Sequence, residues 1–126
     1  MSVPPEISRS KYVSLTTFRK DGTPVATPVW QVTDGDEMVI VTEAASWKVK
    51  RIRNNGSVRV TVCDVRGRTK PGAPTAGGTA RVLDDEGTRA ARELLARKYL
   101  TSRLGNAAAR LLRIRRPAMV GIAVTF

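Results

Sequence analysis

The sequence contains no histidine and a single cysteine, Cys63. The missing imidazole excludes Ser-His-Asp triads, Cys-His pairs and His-ligated zinc. A lone cysteine excludes an internal disulfide and any multi-cysteine metal site, and it fits a reducing, cytoplasmic compartment. Aromatics are scarce, with two each of Phe, Tyr and Trp. That leaves no aromatic-rich strand of the RNA-binding kind, and no paired-cysteine finger exists either. No apolar run approaches the roughly 18 residues of a membrane helix. The start, Met1-Ser2-Val3-Pro4-Pro5-Glu6, lacks the charged-then-apolar order of a signal peptide.

What is present is a chain of 126 residues, 41% of them apolar, which predicts one folded domain over 1–126. Lys and Arg total 22 against 11 Asp and Glu, for a net charge of +11. The excess is uneven: +3 over residues 1–63 and +8 over residues 64–126. Sixteen of the cations are Arg, whose fork fits carboxylates and phosphates better than a Lys ammonium does. An anionic partner and a merely solvated basic surface both fit this composition.

Along the chain, Tyr12–Phe18 is rich in β-formers, with Val13, Leu15 and Thr17 on one face. Arg19-Lys20-Asp21-Gly22 reads as a hairpin turn and Pro24–Val32 as the return strand. After a turn at 33–37, Met38–Thr42 is apolar nearly throughout, which predicts burial on both faces. The period then changes. Ser46–Arg53 predicts a short helix with Ser46 as N-cap, stopped by Asn54-Asn55-Gly56 in a left-handed cap. Ser57–Cys63 alternates as a fourth strand. Thr75–Leu83 is a fifth, in which Gly77 and Gly78 predict a bulge. Asp84-Asp85-Glu86 opens a helix to about Leu100, with Ala91, Leu94, Leu95 and Tyr99 as its apolar stripe. Ser102–Arg113 predicts another helix, and Met119–Phe126 a sixth strand. The direct expectation is a mainly β fold: a small β-barrel with flanking helices.

Three segments carry chemistry. In Thr27-Pro28-Val29-Trp30 the proline donates no backbone hydrogen bond, so it marks an edge or a bulge. Such an edge either faces a planar ligand or is simply protected against pairing, and Trp30 serves core, interface or ring stacking. In Ser46-Trp47-Lys48-Val49-Lys50-Arg51, Lys48 and Arg51 are three apart and share a helix face. A helix start, a hydroxyl, a Lys and an Arg together make a phosphate site; the plainer alternative is a solvated basic helix. Cys63-Asp64-Val65-Arg66-Gly67 holds either a reactive thiol or a small core residue. Near the end, Arg110, Arg113, Arg115 and Arg116 form a solvated face or a seat for a polyanionic tail.

The order of these segments, with Asp21-Gly22-Thr23-Pro24 and Lys98-Tyr99, resembles the split β-barrel flavin and deazaflavin oxidoreductases. This is the FMN-binding, pyridoxamine 5′-phosphate oxidase-like superfamily. Within it the chain is similar to the actinobacterial branch described as coenzyme F420-dependent. The resemblance runs from about Tyr12 to Tyr99. It implies a homodimer with cofactor sites at the subunit interface, and no nucleic-acid or membrane partner. It implies that Thr27, Pro28, Val29 and Trp30 lie along the isoalloxazine-like ring, and that Thr42, Ser46, Lys48 and Arg51 hold the ribityl and phosphate part. Position 47 is more often a small residue in that branch; here Trp47 narrows the phosphate pocket or covers the ring or tail.

The activity implied is hydride transfer between reduced F420 and a small organic acceptor, with the cofactor carrying the hard chemistry. The proton comes from Tyr99, from water or from no group of the protein. The phosphate and glutamate tail of F420 match an Arg-rich groove better than the shorter anion of FMN does. The alternatives are an FMN-dependent oxidase or reductase of the same fold, and a non-catalytic carrier of a cofactor or tetrapyrrole.

Overall fold

The computed structural model describes residues 3–64, 66–100 and 118–126. The expected helix over 102–113, the Arg110–Arg116 cluster and the side chain of Tyr99 lie outside the described residues. Helix α1 (Pro5–Arg9) leads into β1 (Tyr12–Phe18), β2 (Pro24–Trp30), β3 (Val32–Asp34) and β4 (Glu37–Glu43). Helix α2 (Trp47–Asn54), β5 (Ser57–Val62), β6 (Thr75–Val82), α3 (Asp85–Leu100) and β7 (Met119–Thr125) follow. The strands form one antiparallel sheet in the order β2-β1-β5-β6-β7-β4-β3.

The return strand expected over Pro24–Val32 is two strands. β2 pairs with β1, β3 pairs with β4, and only Gln31 separates them. These consecutive strands stand at opposite ends of the sheet order. The sheet therefore has to curl until its two ends meet at Gln31, and β2 indeed approaches β4. The result is a half-barrel with flanking helices, as the strand pattern predicts, although β2 and β3 remain ends of the hydrogen-bonded order.

Side-chain alternation sorts the residues into two cores. Val13, Leu15, Met38, Ile40, Val58, Val60, Ile122 and Val124 fill the inside of the curl. Ile7 of α1 and Val49 and Ile52 of α2 join them, so both short helices close over the interior. The opposite face of β4 gives Val39 to a second cluster with Val32, Ala91 and Leu95, under α3. Met38–Thr42 is thus covered on both sides, as its apolar run predicts. Gly121 of β7 lets α3 come close, since a Cβ there would stand 2.9 Å from Leu83 Cδ1 and 3.3 Å from Ala91 Cβ. The Gly121 N–H donates to the buried Thr88 Oγ1 at 2.9 Å. Asp84 caps α3, its carboxylate accepting from the Gly87 N–H at 2.7 Å.

The seam at Gln31 is polar and buried. The Gln31 amide donates to the Ile7 carbonyl at 2.8 Å and to that of Ser10. The Lys98 ammonium reaches from α3 to the carbonyls of Gln31 (2.8 Å) and Ser10 (2.9 Å). Burial, and secondarily the charge of Lys11, push that ammonium below the ordinary lysine range. One amide and one ammonium thus tie α1, the β2–β3 junction and α3 together.

Two local expectations are corrected. Asn55 ends α2 in an extended conformation (φ −147°), because its N–H still bonds back to the Arg51 carbonyl without a left-handed residue. Gly77 and Gly78 form no bulge: they pair in continuous register with Arg59 and Val58. Gly78 is instead a close approach, where a Cβ would lie 2.6 Å from the Thr125 carbonyl oxygen and 3.0 Å from Val124 Cγ1.

Gly78→Ala should therefore cost about 1–3 kcal/mol through overpacking. Gly77→Ala, whose nearest atom is 4.0 Å away, should cost far less. Denaturation midpoints of the pair read the difference. Gln31→Leu should cost about 1 kcal/mol, because the Ile7 and Ser10 carbonyls each lose one donor while keeping Ser10 and Lys98 respectively; the same unfolding measurement checks it.

Candidate functional site

The Arg19–Thr23 turn at the end of β1 closes by local bonds. The Arg19 N–H donates to the Thr23 carbonyl (2.9 Å), the Thr23 N–H donates to the Asp21 carboxylate (2.9 Å), and Gly22 takes φ +89°. This is the Asp-Gly hairpin that the sequence predicts. It places β2 at the sheet end. On its far side β2 pairs with no strand among the described residues. Val25, Thr27 and Val29 are half-buried, while Ala26 and Pro28 point outward. Pro28 lies in the Gly67 turn's path, since a Cβ on Gly67 (φ +82°) would be 3.3 Å from it. That turn is held by Asp64, whose carboxylate accepts from the N–H groups of Arg66 and Arg68, each at 2.9 Å. Val29 packs on the inner core. Trp30 packs on the α3 cluster, its ring tilted 59° to that of Tyr12 at 6.4 Å.

The second group centres on α2. Ser46 occupies the N-cap with extended dihedrals (φ −68°, ψ 155°), as predicted, yet its hydroxyl caps nothing. Thr42 faces inward from β4, 8% exposed, and accepts a hydrogen bond from the Lys48 ammonium at 3.1 Å. Arg51 Nε donates to the buried Thr17 Oγ1 of β1 at 2.7 Å. Lys48 and Arg51 thus share a side of the helix, as their spacing predicts, and each is pinned to a strand threonine. Loss of hydration pushes the Lys48 ammonium below the ordinary lysine range; Arg51 adds to the shift and Glu43 opposes it. Burial, then the charge of Arg19, lowers the Arg51 guanidinium as well. The cluster holds like charges together.

Among the described residues, two side-chain oxygens are buried with no hydrogen-bond partner: Thr27 Oγ1 and Ser46 Oγ. Buried polar groups nearly always find a partner, and a stranded one costs about 1–3 kcal/mol. Both belong to the segments that the sequence singles out. β1 links Thr27 to α2, the helix that Ser46 begins: Thr17, which receives Arg51, pairs with Val25, two residues along β2 from Thr27. Two residues of strand span about 7 Å.

Sequence reasoning missed the neighbouring cleft of about 430 Å³, lined by Phe18, Arg19, Lys20, Trp47, Lys50, Arg51 and Asn54. The available signal was the spacing 47, 50, 51 and 54, one stripe of α2, facing two cations in the hairpin turn. It also missed Thr17 as the anchor of Arg51. Cys63 is half-buried rather than a core residue, and burial pushes its thiol up, with Asp64 adding to the shift.

A seven-stranded half-barrel with flanking helices and this edge strand defines the split β-barrel class. The chain belongs to the pyridoxamine 5′-phosphate oxidase family, whose model matches residues 3–119. No curated protein matches it in sequence. Among solved structures it is similar to an F420 reductase at 22% identity (TM-score 0.64, 98% of this chain and 94% of that one covered). It is similar to the haem storage protein HutZ of Vibrio cholerae at 14% identity (TM-score 0.67, 99% and 90% covered). General Stress Protein 26 of Bacillus anthracis aligns at 24% identity (TM-score 0.63, 94% and 81% covered). At these identities the three likenesses concern the fold.

The depressed Lys48 pKa has a pH consequence. The folded value lies below the unfolded 10.5, so folding gains stability from this group as pH rises through that window and loses it as pH falls. An anion prefers the charged form. Sulfate, which stays dianionic, should therefore bind more weakly as pH rises through the depressed Lys48 pKa, before exposed lysines titrate. Lys48→Arg should flatten that decline. Calorimetric sulfate titrations from neutral to alkaline pH test both.

Proposed function

We propose that this protein is a coenzyme F420-dependent oxidoreductase, a cytoplasmic homodimer that moves a hydride between the reduced deazaflavin and a small organic acceptor. The observation that carries the reading is the pair of stranded buried hydroxyls, Thr27 Oγ1 on β2 and Ser46 Oγ at the start of α2, the helix that also carries the like-charged Lys48 and Arg51. A planar cofactor bearing a phosphate supplies partners for both hydroxyls and the missing counter-charge. Membership of the family and the likeness to an F420 reductase support the class.

When bound, the deazaflavin supplies the hydride-carrying carbon. The chain's own residues bind and orient. The Ser46 hydroxyl and the first-turn N–H groups of α2 suit phosphate oxygens, and no acidic residue stands in that turn to repel them. Lys48 neutralises from the Thr42 side. Arg51, held through Nε, keeps its two amino groups for the ligand. Thr27 and the backbone of Pro28, Val29 and Trp30 on β2 would hold the ring, and Trp47, at the start of α2, would flank the phosphate.

FMN is the second reading, favoured by the family's flavin chemistry. It has one phosphate, whereas cations beyond Lys48 and Arg51 gather at the same helix: Arg19, Lys20 and Lys50. Haem held through a histidine is excluded, since the chain has none. A non-catalytic carrier would bind without turnover.

The test is a titration of the purified protein with F420 and with FMN at low and moderate salt. F420 should bind more tightly and with salt sensitivity. Lys48→Ala and Arg51→Ala should each weaken it about tenfold or more, and Ser46→Ala by a smaller factor. Tight binding of FMN alone moves the protein to the flavin reading. Binding of neither refutes both.

A further inference from the structure

We infer that the end of the molecule formed by the β1–β2 turn and the outer stripe of α2 is a docking surface for an anionic lipid bilayer, with Trp47 as its interfacial anchor. The inference goes beyond the cofactor reading and does not rest on it. It places the protein on the surface of a cytoplasmic leaflet, not across a membrane; no helix among the described residues is long and apolar enough to cross one. It departs from the expectation of no membrane partner, and the observation behind the departure is Trp47.

Val49 and Ile52 are buried in the inner core and fix the rotation of α2. That rotation leaves Trp47 and Lys50, three residues apart, together on the outer side. Trp47 is 71% exposed, the one large apolar side chain so exposed among the described residues. A lone exposed apolar residue needs no explanation by itself. An indole among cations is a different case. Its apolar body and polar N–H suit the headgroup level of a bilayer, where one end is dry and the other wet.

The charge around it has one sign. Arg19 and Lys20 of the turn face Lys50 and Arg51 of the helix, with no carboxylate between them. None of these four is in an ion pair among the described residues. The acid on the turn, Asp21, is occupied by the Thr23 N–H, and Glu43 acts on Lys48 rather than on this group. Arg51 is tied back to Thr17, so Arg19, Lys20 and Lys50 are the exposed cations. Stable attachment to a bilayer takes two signals, and an apolar anchor beside a polybasic patch supplies both. The net charge of +11 draws the whole molecule toward such a surface.

Nucleic acid is also anionic, but the aromatic pattern favours lipid. Single strands are held by successive aromatic side chains, and this surface has a single exposed one. The Lys50 ammonium lies 4.5 Å from the Trp47 ring centroid and covers a face on which a base would stack. An indole entering headgroups keeps that cation, whose charge stays at the level of the lipid phosphates.

The experiment uses the purified protein, without added cofactor, and vesicles of phosphatidylcholine alone or of equal parts phosphatidylcholine and phosphatidylglycerol. Co-sedimentation reads binding. Trp47 emission is read as the difference between the wild type and Trp47→Phe. The protein should bind the anionic vesicles and not the neutral ones, and lose that binding as salt rises. Trp47 emission should shift to the blue and become shielded from a water-soluble quencher. Trp47→Ala should weaken vesicle binding about tenfold, and Lys20→Gln and Lys50→Gln about three- to fivefold each. Lys70→Gln, which removes an exposed lysine of the 64–74 loop, should change it by less than about twofold. Thermal unfolding of each variant should match the wild type, because the side chains removed are exposed. Excess glycerol phosphate, the free headgroup chemistry, should not displace the vesicles; displacement means a small-anion site and overturns the inference. So does an oligothymidylate that outcompetes the vesicles, which makes the surface one for nucleic acid. Equal binding to neutral vesicles, an unmoved Trp47 emission, or an equal loss in Lys70→Gln overturns it as well.

Discussion

One residue, Gln31, links the two ends of the sheet. The strands on either side of it pair with β1 and with β4, at opposite ends of a seven-strand order. A flat sheet would leave those ends several strand widths apart, at nearly 5 Å per strand. A one-residue link cannot span that distance, so the sheet curls. The curl creates the interior that Met38, Ile40, Ile122 and their neighbours fill. It also sets β2 at the end of the order, the position that a ligand-facing strand requires. A buried link has to satisfy its polar groups, and Gln31 and Lys98 do so with the carbonyls of α1 and of the link itself. The N-terminal turn and the end of α3 are thus part of the same closure.

The site follows from the same frame. Apolar Val49 and Ile52 seat α2 on the interior, and that seating turns the helix's cations toward the hairpin end of β1. Burial depresses both Lys48 and Arg51, with the charge of Arg51 adding to the first and that of Arg19 to the second. Like charges held close while two hydroxyls stay unpartnered make a poor arrangement for stability by itself. They make a good one for an anion with a polar planar body, which relieves both.

Much of this was legible in the sequence. The Tyr12–Phe18 and Met38–Thr42 strands, the Asp-Gly turn and the Ser46 N-cap announced themselves through period, apolar runs and turn chemistry. The Lys48–Arg51 spacing predicted a shared side, and each proves to reach a strand threonine, Thr42 of β4 and Thr17 of β1. The break at Gln31 was not legible, because Pro24–Val32 reads as one β-rich run and a polar residue within it looks solvent-facing. Only long-range partners, Ile7, Ser10 and Lys98, turn it inward. Gly78 misled for a related reason: a glycine forced by a carbonyl across the sheet looks the same in sequence as one that makes a bulge. The cleft was missed because its two walls lie about thirty residues apart and meet only through β1–α2 packing.

The amino-acid sequence by itself determined the local elements, the absence of imidazole and paired-thiol chemistry, and the supply of cations on α2 and in the turn. These depend on residue type and on spacing within one or two turns of chain. The tertiary structure decided where the strand breaks, which face of α2 is buried, that Arg51 belongs to Thr17, and that Thr27 and Ser46 are left without partners. Those outcomes depend on which distant groups share a dehydrated interior. Burial is a property of the assembled fold, and hydrogen-bond accounting can be done only once it is known.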